Sequence, residues 1–439
     1  MSKTGAPALL QGEVGADSYR AGKAWAFTGT LLLLYVMNWG DKAILGIAAQ
    51  PIAQEFGLST TQIGLVGTLF YVAFTLTGFS AGWLHRKLTL KWALALLAAV
   101  WAVAMLVPVL AMGGFIVILL SRIVLGLGEG PAAALILSGI YSWHPRAKRG
   151  IPSSAAISTS SVASLIIAPL IALVIAAWGW RSAFLILAVL SVAWIALWVT
   201  TWKDGPYAES VRPEGKGKDH ATEISVPWRK IFLNRSFIGG AVAMFAAYSI
   251  ASAALTFAPT YFQKGLGLSQ LAAGTLQSVI GAAGLVAMLS AGFIGDRLLA
   301  RGGSSRVSRG ILPGVAMLVG GVLLAVLVTA PEAAVGVAVF AIGYALTSVT
   351  IPVLNAGISE VAPPQQLSGT LAVFMGIMYV GAVLAPLVTG AIVDSFGGGP
   401  SGWGVAWLVF GLLAVIGGAS TLVAFNPTRD AAAVQGTAA

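Results

Sequence analysis

The chain has no cysteine, three histidines and few charges: Asp, Glu, Lys and Arg make up 9% of its 439 residues. Without cysteine there is no disulfide, no thiolate metal site and no cysteine nucleophile. His85, His144 and His220 fall in or beside predicted loops at one side, so they assemble neither a metal cluster nor a proton relay. No HExxH, GxSxG or P-loop pattern occurs. Gly126, Gly128 and Gly130 are spaced GxGxG rather than GxGxxG, with no strand before them, which excludes a dinucleotide loop. An enzyme is therefore not expected. The scarcity of charge says more: a soluble domain carries about a quarter charged residues. With 58% hydrophobic residues and a mean hydropathy of +0.90, this chain has lipid as its solvent.

What is present is a series of apolar runs long enough to cross a bilayer. Helical spans are predicted over 24–49, 62–84, 92–112, 114–143, 150–177, 181–202, 237–262, 272–299, 310–329, 333–357, 366–393 and 402–425. Five domains follow: an N-terminal tail (1–23), a first six-helix bundle (24–202), a linker rich in Lys, Gly and Pro (203–236), a second bundle (237–425) and a C-terminal tail (426–439). Within the linker, "VPWRKIFLNRSF" alternates basic and apolar residues as a short surface helix does.

The net charge of +10 is a topology signal. With the N-terminus cytoplasmic, all but four of the 25 Lys and Arg residues lie on the cytoplasmic side; Arg181 and Lys264 fall outside, and Lys42 and Arg122 within spans. Both termini are then cytoplasmic, and the distribution speaks against a nucleic-acid partner. The compact loops suit a monomer in a bacterial inner membrane. Two sequence echoes relate the halves: "SAGWLHRKL" (80–88) with "SAGFIGDRL" (290–298), and "APLIALVI" (168–175) with "APLVTGAI" (385–392). Six spans per half give both copies one orientation, a parallel repeat.

Four ionisable residues stand well inside spans, all in the first half: Asp41, Lys42, Arg122 and Glu129. Charge at that depth is costly and must face a partner or a water-filled cavity. Asp41 and Lys42 are adjacent on a helix, so they point about 100° apart and satisfy each other poorly. Arg122 and Glu129 share a face but lie about two turns, roughly 10 Å, apart. The bland reading is a set of ion pairs that pack helices, although buried pairs stabilise weakly. The functional reading is a site in which two cations hold an anion and two carboxylates carry protons, since an arriving anion favours proton uptake. The glycines beside Glu129 are compatible with close packing or with a flexible gate. Thr159, in the serine-rich start of the fifth span, and the aromatics Trp39, Phe70, Tyr71 and Phe74 are candidates for the cavity wall. In the second half Tyr248, Thr256, Tyr261, Gln277, Asn355 and Tyr379 are neutral polar candidates.

These residues resemble the major facilitator superfamily, through "SAGWLHRKL" after the second span and "RIVLGLGEGP" in the fourth. More narrowly the chain looks like the anion:cation symporter family, which includes sugar-acid and phthalate-type transporters, sialin and the vesicular glutamate transporters. "NWGDKAILGIA" resembles that family's first-span Asp-Arg motif, "LTFAPTYF" its seventh-span ending, "VGAVLAPLVTGAIVD" its eleventh span and "GWRSAF" a common turn between the fifth and sixth. The resemblance implies an all-α membrane protein: twelve transmembrane helices in two parallel six-helix halves around a central cavity. It implies import of a small organic anion (a sugar acid, an aromatic acid or another carboxylate) by proton symport and alternating access. Protons are the coupling ion, and no other cofactor or metal is called for.

The same resemblance assigns Asp41 and Glu129 to proton coupling and Arg122 to the substrate carboxylate. Lys42 stands where an arginine is usual, keeping the charge but losing the planar fork. Phe74 stands where a tyrosine binds hydroxylated substrates, which tilts the substrate towards less hydroxylated or aromatic acids. Lys42, Arg122, Trp39, Phe74, Thr159, Tyr248, Asn355 and Tyr379 form the expected substrate site. Arg86 replaces an expected aspartate in the first-half loop motif, whereas the second-half copy keeps Asp296 and Arg297, so these three are the expected gating residues. A proton-coupled exporter of drugs or cations, and a transporter-like receptor that senses without moving its ligand, remain open alternatives.

Overall fold

The computed structural model describes residues 20–110, 114–145, 148–208, 226–329, 332–363 and 366–435. Most of the predicted N-terminal tail, the last residues of the C-terminal tail and the centre of the linker lie outside the described residues. Within them, twelve helices are long and apolar enough to span a membrane. In chain order they are α1 (Ala21–Phe56), α2 (Thr60–Gly78), α3 (Leu90–Leu110), α4 (Gly114–Trp143), α5 (Gly150–Trp178) and α6 (Trp180–Thr201). The second six are α7 (Arg235–Gly265), α8 (Gln270–Ala300), α9 (Arg306–Thr329), α10 (Ala333–Val361), α11 (Gly369–Ser395) and α12 (Pro400–Ala424).

The expected spans match in order and number, and the larger differences have local causes. Helix α1 continues past residue 49 through Pro51 to Phe56, and stops where Gly57 takes φ 62°, a left-handed conformation that favours glycine. Two residues on, Ser59 opens α2 with a reciprocal capping box: its hydroxyl accepts from the Gln62 N–H, and the Gln62 side chain accepts from its own. Helix α2 ends at Gly78, and a separate short helix, Ala81–Lys87, carries the loop motif. Asn234 and Ser269 cap α7 and α8 in the same way as Ser59, each accepting from a backbone N–H three residues on. The basic-apolar segment forms a helix over Trp228–Phe232, whose Ile231 is buried with Val361 and Val434.

Each half packs within itself, α2 on α4 and α3 on α6 in the first, α9 on α12 and α7 on α11 in the second. Between halves, α1 lies on α7, α2 on α11 and α5 on α8. These crossings are close because the sequence supplies small residues there. A Cβ on Gly46 of α1 would come within 2.2 Å of the Leu255 carbonyl oxygen, and one on Gly64 of α2 within 2.3 Å of the Pro386 oxygen. Polar links reinforce the same end of the molecule. Asp394, at the end of α11, accepts the backbone N–H groups of Thr60 (3.0 Å) and Thr61 (2.7 Å), capping α2 across the halves. Gln270 donates to the Ile47 carbonyl at 2.7 Å. At the other end the halves part: α5 meets α8 chiefly along Ala163–Trp178 and far less along Gly150–Val162, where Ile157 is 71% exposed. The central cavity opens towards that end.

Candidate functional site

The site begins with the way α4 is pressed onto α2. A Cβ on Gly126 would lie 2.4 Å from the Phe70 carbonyl oxygen, and one on Gly130 2.3 Å from the Thr77 hydroxyl. The glycine run therefore acts as a close-packing surface. Pro131, with no N–H to give, follows it at the break between the helical stretches Gly114–Glu129 and Ala132–Trp143. This packing carries Arg122 and Glu129 into the core of the first half, where they meet α1.

Four charges collect there. Asp41, Arg122 and Glu129 are all but fully buried, and the Lys42 side chain is 8% exposed. Lys42 Nζ stands 2.5 Å from Glu129 Oε2, an ion pair between α1 and α4. Lys42 also donates to Asn38, one helical turn earlier. Its ammonium lies 5.0 Å from the Trp39 ring centre and 5.4 Å from that of Phe74, so aromatic faces supply part of its solvation. Arg122 Nη1 donates to the Asp41 backbone carbonyl at 2.8 Å, and its guanidinium lies 5.1 Å from the Phe184 ring centre. Its Nε and Nη2 groups are buried with no protein partner, as are both carboxylate oxygens of Asp41. Unsatisfied buried charge of this kind is expensive. Two cations and two carboxylates sum to zero charge, with one ion pair made and hydrogen-bonding capacity left over on Arg122 and Asp41.

Two spaces adjoin the cluster. A small void of about 10 Å³, the size of one water, is lined by Lys42, Arg122, Gly67, Phe70, Tyr71 and Thr256, among others. A larger cavity of about 310 Å³ lies between the halves. Its first-half wall includes Tyr35, Trp39, Tyr71 and Ser160; its second-half wall includes Tyr248, Gln277, Tyr344 and Ser348. Tyr71 and Leu255 line both spaces, so they form the partition between the cavity and the charged void.

The expected site residues divide accordingly. Trp39 and Tyr248 line the cavity, while Lys42 and Arg122 line the void behind it. Asp41 and Glu129 back the cluster without lining either space. Phe74 and Tyr379 pack on each other with ring centres 5.7 Å apart, and Tyr379 meets Tyr248 edge-on at 5.4 Å, so both support the wall from behind. The α2 residue that lines the cavity is Tyr71, and Phe74 lines neither space. Thr159 is buried and its hydroxyl donates to the Ala156 carbonyl at 2.6 Å; its neighbours Ser160 and Ser161 face the cavity instead. Asn355 donates to the Ile351 carbonyl and does not line the cavity. Sequence reasoning did not single out Asn38, Tyr35, Tyr344 or Ser348. Asn38 had a signal in its i, i+4 spacing from Lys42.

The expected gating residues take different partners. Arg86 is exposed on the short helix after α2. Asp296 does not pair with its neighbour Arg297, which lies over the Phe293 ring; it pairs with Arg309 of α9 at 3.5 Å. Arg309 also reaches Glu360 of α10 at 3.3 Å, and Glu360 accepts from Ser305. This cluster joins α8, α9 and α10 within the second half.

Comparison with known proteins agrees with this architecture. The chain is 27% identical over 411 residues to a probable sulfoacetate transporter of Cupriavidus necator, covering 91% of this chain and 93% of that one. It is 25% identical over 373 residues to a hexuronate transporter of Bacillus subtilis, covering 84% and 87%. Among solved structures, a bacterial homologue of the human lysosomal transporter Spinster, inward-facing and occupied, superposes with a TM-score of 0.78 at 17% identity, covering 93% and 97%. A D-xylose–proton symporter superposes at 0.72 with 16% identity, covering 92% and 99%. The sequence profile of the Major Facilitator Superfamily matches residues 31–356. With its twelve spans, two halves and central cavity, the chain belongs to the Major Facilitator Superfamily.

Proposed function

We propose that the protein is a secondary active transporter of the anion:cation symporter type, importing a small organic anion together with protons by alternating access. The observation that carries this reading is Arg122: a buried guanidinium with two N–H-bearing nitrogens unpartnered, on the edge of a water-sized void beside Lys42. Such a group is made whole by an oxyanion. In this reading Lys42 and Arg122 hold the anion, and Asp41 and Glu129 carry protons. The anion adds negative charge to a cluster that is neutral without it, and a proton restores the balance. The printed names of the relatives, transporters of sulfoacetate, hexuronate and galactarate or glucarate, support an organic acid as the cargo.

The distribution of basic residues supports an orientation with both termini in the cytoplasm of a bacterial cell. The cavity then opens inward and the Asp394 end faces outward. The test is uptake by proteoliposomes under an imposed inward proton gradient, offering labelled sugar acids, aromatic acids and dicarboxylates. One acid should accumulate, and a protonophore should abolish its accumulation. If only organic cations move, the reading becomes that of an exporter; if an acid binds tightly but never crosses, that of a receptor.

A further inference from the structure

All the buried charge of the site stands on one side of the cavity. None of the residues lining the 310 Å³ space is Lys, Arg, His, Asp or Glu. Among the described residues, the second half carries its cations only at or beyond the ends of its spans, so closing brings none to the cavity. Lys264 lies in the last turn of α7, and Arg309 lies in the first turn of α9, where Asp296 and Glu360 hold it. A rocking motion of one half against the other moves whole helices, so it leaves these two residues, like Arg235, Arg297, Arg301 and Arg306, at the ends of their spans.

The second-half wall offers neutral groups instead. Gln277 is 6% exposed, and its side-chain oxygen is buried with no partner. An amide oxygen in that state calls for a hydrogen-bond donor such as a hydroxyl. The serines of the wall do not supply it: Ser252 and Ser348 donate to carbonyls of their own helices at 3.2 and 2.7 Å. Tyr71, Tyr248 and Tyr344 add ring faces around the same space.

Building on the anion-transporter reading, we infer that, when the Tyr71 and Leu255 side chains between void and cavity move aside, the site takes one anionic group per substrate, at Arg122 and Lys42, and holds the rest as a neutral, hydroxyl-bearing body against Gln277 and the tyrosines. A second carboxylate at the far end of the substrate would be desolvated among neutral amide, hydroxyl and ring groups with no cation in reach, which is costly. The substrate class is therefore the hydroxylated monoacid, and the matching diacid is rejected.

The test starts from the labelled acid that the reconstituted protein transports. Unlabelled competitors are that acid and its counterpart differing only in a second carboxylate at the far end, as galactonate differs from galactarate. The monoacid should inhibit uptake at a concentration at least about tenfold lower than the diacid. Placing a cation in the neutral wall by Gln277→Lys, or on α10 by Ser348→Lys, should narrow that gap. A labelled substrate that is itself a diacid with distant carboxylates, or a diacid that competes equally well, overturns the inference while leaving anion transport standing. Failure of every acid to be transported overturns the anion reading itself.

Discussion

The two halves share one architecture and differ in what they bury. In the first, α1 and α4 bring Asp41, Lys42, Arg122 and Glu129 together in the core. In the second, the wall facing them is largely apolar, with two tyrosines, two serines and one glutamine as its polar groups, and the charges sit at the rim, as in the Asp296–Arg309–Glu360 cluster. A repeat that carried chemistry equally would show charge on both sides. Here one half holds a self-neutralising cluster and the other offers a neutral, adaptable surface. In the proposed mechanism the charged half binds and counts charge, while the neutral half moves over it without carrying ions through lipid.

The comparison breaks most severely at Arg122. Arg122→Gln leaves Asp41 and the Lys42–Glu129 pair without the second cation, and breaking such a buried arrangement costs about 3–5 kcal/mol. Uptake should fall by about a hundredfold or more. Arg122→Lys keeps the charge without the fork and should fall between that variant and the wild type. Thermal stability in detergent, measured alongside, separates loss of binding from loss of fold.

A second prediction addresses how the halves meet. Gly46→Ala sets a methyl against the Leu255 carbonyl, where backbone faces backbone, so the closed end must open. Because the chain has no cysteine, a single cysteine at Ile157, which lines the cavity, is a clean reporter. Its labelling from the open end by an impermeant maleimide should slow in Gly46→Ala by about tenfold or more, in line with the cost of overpacking. Asp394→Asn acts on the same equilibrium more gently. It keeps one acceptor for the α2 N-terminus and loses the charge, worth about 1 kcal/mol, so labelling should slow by about fivefold. The smallest effect belongs to the neutral wall: Tyr248→Phe should raise the KM for the transported acid by about two- to fivefold, with little change in kcat.

Much of this was legible in the sequence because lipid leaves few choices: apolar run length gives the spans, and charge inside them gives the cluster. Asp41 and Lys42 do not pair with each other: Lys42 takes Glu129 across helices, while the Asp41 carboxylate has no protein partner. Which partners they take was not legible. Lys42 reaches Glu129, 87 positions away, because Gly126 and Gly130 let α4 lie flat on α2. Thr159 and Asn355 illustrate a different limit. In a helix with polar residues all round, as in "SSAAISTSSVAS", a rotation of one residue decides which hydroxyl meets the cavity, and composition does not fix that phase. The Asp296–Arg309 pair was hidden for the same reason as Lys42–Glu129. A motif read along the chain suggested Arg297, while the fold supplied a cation from the next helix.

The measurement that tests the central claim most directly is proton movement driven by the anion. Proteoliposomes containing a pH-sensitive dye, with no pH gradient imposed, are given the transported acid on the outside at fixed membrane potential. The interior should acidify as the acid enters, and Glu129→Gln should remove that acidification while still binding the acid. Entry of the anion with no acidification, or acidification unchanged in the variant, would contradict a mechanism in which the buried cluster couples the anion to protons.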